Sequence, residues 1–185
     1  MSVGIFEKEV GTGGVQRKVA TISVEHQNIH SGNSWVVQHH DTDVDAVQYY
    51  TFVTDSSADE WHIVASVDIS QAGVVAMFKG PSNDSNTTLG DTVTGFCRLL
   101  SDSSTGGATL YVGTNYGDTA NAQDTGTRIE IARLAGGSGP KAVGATQTQR
   151  NEWILGASSR VAFAVTPDSA NAVVTFGVEW YTEAE

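Results

Sequence analysis

The chain has a single cysteine, Cys97, in 185 residues, so no disulfide can form within it. Its fold must rest on its hydrophobic core, with contacts between subunits as an optional addition. Basic residues are also scarce. Ten Lys and Arg stand against 21 Asp and Glu, for a formal net charge of -11. The cations are scattered, with Arg17-Lys18 the one adjacent pair. This argues against binding along a nucleic-acid backbone, which needs clustered positive charge. It favours solubility and resistance to non-specific association. No apolar run reaches the ~18 residues of a membrane-crossing helix. The first residues show neither the basic start nor the apolar stretch of a secretory signal. Helix-forming Leu, Lys and Glu are few, and no long segment keeps an apolar period of 3.6 residues.

What the chain has in quantity is Val, Thr, Ser, Gly and Asp, a strand-and-turn composition. Apolar alternation or short apolar runs predict strands over residues 19–24, 34–40, 48–54, 61–69, 74–79, 92–99, 109–114, 128–134, 152–155, 160–165 and 172–181. Turn-rich clusters over 55–59, 80–86 and 101–107 separate them. Residues 116–127 read as a long polar loop, and 103–107 as a flexible hairpin loop. Many short strands with regular turns imply an all-β sandwich, jelly roll or barrel. Alternation places Val161, Phe163 and Val165 on one core face and Val174, Phe176, Val178 and Trp180 on another, joined by Trp153, Ile154 and Leu155. Residues 1–18, glycine-rich and of mixed charge, read as an extended arm or as a frayed terminus before a domain over 19–185.

Candidate chemistry is sparse. His39-His40-Asp41-Thr42-Asp43-Val44-Asp45 begins like a calcium loop, but Ala46 and Phe52 stand where that loop needs Gly and Glu. A bend with solvated acids is the simpler account. His26 and His30 are four apart, yet their segment does not read as a helix and no cysteine lies near to complete a metal site. His62, after Trp61, reads as a strand histidine. Cys97, between Phe96 and Arg98, reads as a small buried hydrophobe rather than a nucleophile. Gly11-Thr12-Gly13-Gly14 is not a dinucleotide fingerprint, and no nucleophile elbow is present. Asn83-Asp84-Ser85 and Asn86-Thr87-Thr88 match the glycosylation pattern but are idle without secretion. Trp35, Trp61, Trp153 and Trp180 all fall on expected strands, where core packing is the default and a sugar-stacking role is the alternative. The expectation is no catalytic residue, no metal and no cofactor.

The chain resembles a family of small tailed-bacteriophage head proteins that includes the head decoration, or cement, proteins. The resemblance is carried by Ile29-His30-Ser31-Gly32-Asn33-Ser34-Trp35, Trp61-His62-Ile63-Val64, Gly137-Ser138-Gly139 to Lys141, Arg150-Asn151-Glu152-Trp153-Ile154-Leu155 and the closing Trp180-Tyr181. It spans roughly residues 20–183. It implies a jelly-roll-like antiparallel β-sandwich that assembles as a homotrimer on the outer surface of a virion capsid. The implied partner is the major capsid protein, with neither nucleic acid nor membrane involved. In that setting Lys8, Arg17 and Lys18 of the arm are the candidate capsid-binding residues, pairing with acidic groups of the shell. The competing readings are a carbohydrate-binding jelly roll and a head-fibre or adsorption protein. Exposed tryptophans beside an acidic loop would favour the former; buried tryptophans and a broad apolar or arm-mediated interface would favour decoration.

Overall fold

Period-two alternation makes each strand two-sided, and the buried sides of two sheets close on each other. The computed structural model describes residues 4–6, 20–22, 24–58, 60–79, 90–113, 126–135, 141–142 and 152–182. In chain order the elements are β1 Gly4–Phe6, β2 Ala20–Ile22, α1 Val24–His30, β3 Ser34–Val44, β4 Gln48–Thr54, β5 Glu60–Ile69, β6 Gly73–Lys79 and β7 Asp91–Val93. They continue with β8 Phe96–Cys97, β9 Ala108–Gly113, β10 Thr127–Leu134, β11 Lys141–Ala142, β12 Trp153–Gly156, β13 Arg160–Pro167 and β14 Ala172–Thr182. One sheet has the order β10-β6-β13-β4-β9-β7. The other runs β11-β5-β14-β3-β8, with β12 also paired to β5. All the pairings are antiparallel. The chain changes sheet from β3 to β4, β4 to β5, β5 to β6 and β13 to β14, and β14 inserts between β5 and β3 while β13 inserts between β6 and β4. That interleaving is the strand order of a jelly roll.

The last strand is the centre of the core. Val174, Phe176, Val178 and Trp180 all point inward and are buried. Phe176 stacks on Tyr50 of β4 at 4.3 Å between ring centroids and meets Phe163 of β13 at 5.2 Å. Trp180 packs edge-on against Phe52 at 5.2 Å and lies 6.3 Å from Trp35. Aromatic pairs of this kind add about 0.5–1.5 kcal/mol each beyond the area they bury. The three fully interior indoles also satisfy their N–H groups. Trp35 donates to Ser104 Oγ, Trp61 to the Ala58 carbonyl and Trp180 to the Gly106 carbonyl. A second, smaller apolar cluster of Tyr49, Phe78, Ala162 and Ala164 lies on the opposite face of the β6-β13-β4 strands. Those strands are therefore apolar on both sides and read as nearly continuous hydrophobic runs.

The expected strands appear, with five differences. Residues 92–99 do not form one strand. The chain leaves the first sheet after β7 and joins the second as β8, passing Trp180 at Gly95, where a Cβ would come within 2.3 Å of the indole. Residues 24–30 form a helix, against expectation. Its end is fixed by Gly32 at φ 75°, with Asn33 N–H donating to the Asn28 carbonyl and Gly32 N–H to the Ile29 carbonyl. This is the glycine-terminated helix end of the Schellman type, and Ser31-Gly32 was its signal. β3 does not end at His40 but runs on through Val44, with a bulge after Asp41. Ile154 is exposed because β12 turns Trp153 and Leu155, not Ile154, towards the core. Residues 103–107 are not a free hairpin loop, since they supply the Trp35 and Trp180 acceptors. Of the expected arm, the described part is Gly4–Phe6, paired antiparallel with Ala20–Ile22; the rest of residues 1–18 lies outside the described residues.

Two substitutions test this core. Phe163, fully buried, should cost about 3–5 kcal/mol when changed to Ala, read from the chemical denaturation midpoint. Gly106 has φ 68°, and its Cβ would lie 2.3 Å from the Trp35 ring, whereas Gly156 meets only Ser159 Oγ at 3.5 Å. Gly106→Ala should therefore lower the thermal midpoint sharply and Gly156→Ala barely change it.

Candidate functional site

β3 is eleven residues long, and β14 pairs with it from Ser34 to Val44. On its other side β8 covers Trp35 and Val36 alone among the described residues. Beyond Val36 no described strand pairs with this edge of β3. A cleft of about 380 Å³ lies there, lined by His39, His40, Asp41, Gln48, Asp91, Val112 and Gly113. It is the mouth of the sandwich, where the edge of one sheet passes over β4, β9 and β7 of the other. His39 pairs in register with buried Phe176, so its side chain faces inward, where its ring lies 6.2 Å from that of Tyr50. His40 faces outward, and its Nδ1 is 2.9 Å from Thr175 Oγ1.

The run of alternating acids owes its shape to a bulge. Between Asp41 and Val44 three steps of β3 oppose two of β14, from Val174 to Ala172. Asp41 Oδ1 accepts from the Asp43 N–H at 3.2 Å, and Asp45 Oδ1 accepts from the N–H of Asn171, itself at φ 57°. Asp43 and Asp45 are exposed and Asp41 is half-buried. A bulge bends the strand locally, and pairing with β14 resumes at Val44 opposite Ala172. Among the described residues no three His, Cys, Asp or Glu are arranged to hold a metal ion. The cleft lining offers carboxylates, imidazoles and an amide, with no hydroxyl or thiol nucleophile. These groups can meet cationic or hydrogen-bonding partners.

Behind the cleft, Tyr50 is fully buried and its hydroxyl has no hydrogen-bond partner among the described residues. Burial, and secondarily the Asp41 carboxylate, push its phenol well above the ordinary value. Burial raises Tyr49 in the same direction.

A different surface covers the outer face of the second sheet. Register aligns Phe96, Val36, Glu179 and Val64 in one row and Ser34, Tyr181, His62 and Ile154 in the next. Phe96 is 67% exposed and Ile154 59%, while Val36, Val64 and Tyr181 are half-buried between them. The turn after β8 adds Leu100, 94% exposed. The charge in these rows belongs to Glu179, which Arg98 pairs at 3.2 Å. This face was not legible as a surface in the sequence, because its residues come from five strands far apart in the chain.

The singled-out residues distribute as follows. His62 is buried, stacked on Tyr181 at 4.6 Å, with Glu152 3.3 Å from its Nδ1. Cys97 is buried, its thiol 3.5 Å from the Gly32 carbonyl. Trp35, Trp61 and Trp180 are buried, and Trp153 packs half-buried against the core. His26 and His30 share α1, where His30 is exposed. Lys8, Arg17 and Lys18 lie outside the described residues. Comparison with known protein families, with curated proteins and with solved structures finds no match.

Tyr50 gives two expected outcomes. An unpartnered buried hydroxyl costs about 1–3 kcal/mol, so Tyr50→Phe should leave the denaturation midpoint unchanged or raise it. A phenol held neutral in the fold contributes stability that is complete below its ordinary value of 10.0 and is lost as pH rises through the higher folded value. The protein should lose stability above pH 10.0, and Tyr50→Phe should blunt that loss in alkaline denaturation curves.

Proposed function

We propose that this chain is a non-enzymatic structural protein of a tailed-phage virion, which seats on the outer surface of the capsid and reinforces it. The observation that carries the reading is the outer face of the β8-β3-β14-β5-β12 sheet. Phe96 and Ile154 stand exposed at its two sides, Val36, Val64 and Tyr181 continue it between them, and its central charge is paired with Arg98. Apolar surface gathered on one sheet face, with local charge neutralised, is the composition of a protein-docking patch. It stands out in a chain of net charge -11, whose remaining acidic surface keeps the free protein soluble. The resemblance to phage head proteins supplies the partner, the major capsid protein, and the trimeric assembly.

The carbohydrate-binding alternative draws less support. Sugar platforms need an exposed aromatic face, and three of the four tryptophans serve the core while Trp153 packs against it.

The test is reconstitution on capsids that lack the protein, followed by electron microscopy and heating. Full-length protein should add density to the outer surface and raise the temperature at which particles rupture. Phe96→Glu combined with Ile154→Glu should leave the fold's own thermal midpoint nearly unchanged and weaken attachment by about 100-fold, the loss of roughly 2.7 kcal/mol from the two most exposed apolar side chains of the rows. Undiminished decoration by that variant would place the interface elsewhere. Deleting residues 1–18 checks Lys8, Arg17 and Lys18 separately: poor decoration by a still-folded truncation would assign the contact to the arm.

A further inference from the structure

We propose that the open edge of β3 over residues 37–41, with the cleft beside it, is a strand-addition site for an extended basic segment of a partner protein. The sheet geometry makes the first part of the case. β8 occupies the place next to β3 for two residues, opposite Trp35 and Val36, and β3 then continues without a partner on that side among the described residues. An unpaired strand edge offers a row of backbone donors and acceptors to any extended chain that arrives. The bulge that begins at Asp41 bends the strand and sets the far limit of the site, leaving about five residues of regular edge.

Charge chooses the occupant. A second copy of this chain, itself of net charge -11, would bring further acidic surface against the Asp41 and Asp91 that line the cleft. An added strand sends alternate side chains to opposite faces. Those directed inward enter the cleft, where Asp41 and Asp91 line the wall together with Gln48 and the Gly113 backbone. Those directed outward lie beside Gln38 and His40. Lys or Arg at the inward positions would meet two carboxylates; Asp or Glu would meet repulsion. Backbone pairing thus supplies affinity and the cleft supplies the preference for basic residues. The proposal deepens the shell-binding reading and rests on it for the partner's origin alone, since the site itself is tested without particles.

The probe is an acetylated, amidated octapeptide alternating Lys and Thr, titrated into the full-length protein at low ionic strength and followed by amide resonances and hydrogen exchange. The expected result is perturbation confined to residues 37–41 and the cleft residues Gln48, Asp91, Val112 and Gly113, with slowed exchange along the β3 edge. Asp41→Asn with Asp91→Asn should weaken binding about tenfold, as should raising the salt to about 0.5 M. Asn keeps the oxygen that accepts from Asp43, so the bulge should survive the change. The same peptide methylated on alternate backbone nitrogens should bind at least tenfold more weakly. Four results would overturn the proposal: no binding, equal binding of a Glu–Thr octapeptide, full affinity of the methylated peptide, or perturbation by neutral monosaccharides of the cleft residues that the Lys–Thr peptide leaves unmoved. The last would make the cleft a sugar site. Peptide binding without particle binding would instead count against the capsid as partner and leave the edge site standing.

Discussion

The contact on which the fold depends is the meeting of β14 with β4 and β13 across the sandwich. Phe176 lies between Tyr50 and Phe163, and Trp180 lies against Phe52. These rings come from residues more than 100 positions apart in some pairs and less than 20 in others. Their burial holds the two sheets in one relative position, because interior packing at crystal-like density leaves little room to slide. With no disulfide available, this aromatic layer takes the place of covalent cross-links.

The layer dictates the loops at one end. An indole buried on its ring still needs an acceptor for its N–H. Trp35 and Trp180 find theirs on Ser104 and Gly106, in the segment between β8 and β9. That segment can come close enough because Gly106 takes a left-handed backbone conformation and offers no Cβ to the Trp35 ring. Gly95 likewise offers no Cβ to the Trp180 ring where the chain crosses between sheets. A polar, glycine-rich stretch that reads as slack chain is therefore a fitted lid on two tryptophans.

The opposite consequence appears at the edge. The β7 and β8 strands are short, with β8 only two residues long, because the crossover at Gly95 separates them. β8 ends while β3 goes on for several residues more, and the mouth of the sandwich opens beside the acidic, histidine-bearing part of β3. The outer face of the same sheet carries the exposed apolar row from Phe96 to Ile154. Two surfaces of different character, one apolar and on the outer face, one acidic and at the edge, thus lie on one sheet and share β3.

Much of this architecture was legible in the sequence. The all-β class, most strand positions and the inward set Val161, Phe163, Val165, Val174, Phe176, Val178 and Trp180 follow from alternation alone, since a period of two assigns faces without knowledge of partners. The buried roles of Cys97 and three tryptophans follow from the same pattern. What the tertiary structure alone decided is adjacency. That β14 lies between β5 and β3, that residues 92–99 split between two sheets, that Ile154 faces out beside His62, and that His39 and Asp41 share a cleft with Asp91 all depend on which strands pair. Periodicity specifies the two faces of a strand, but its neighbours are chosen by packing between residues distant in the chain, and no local pattern encodes that choice.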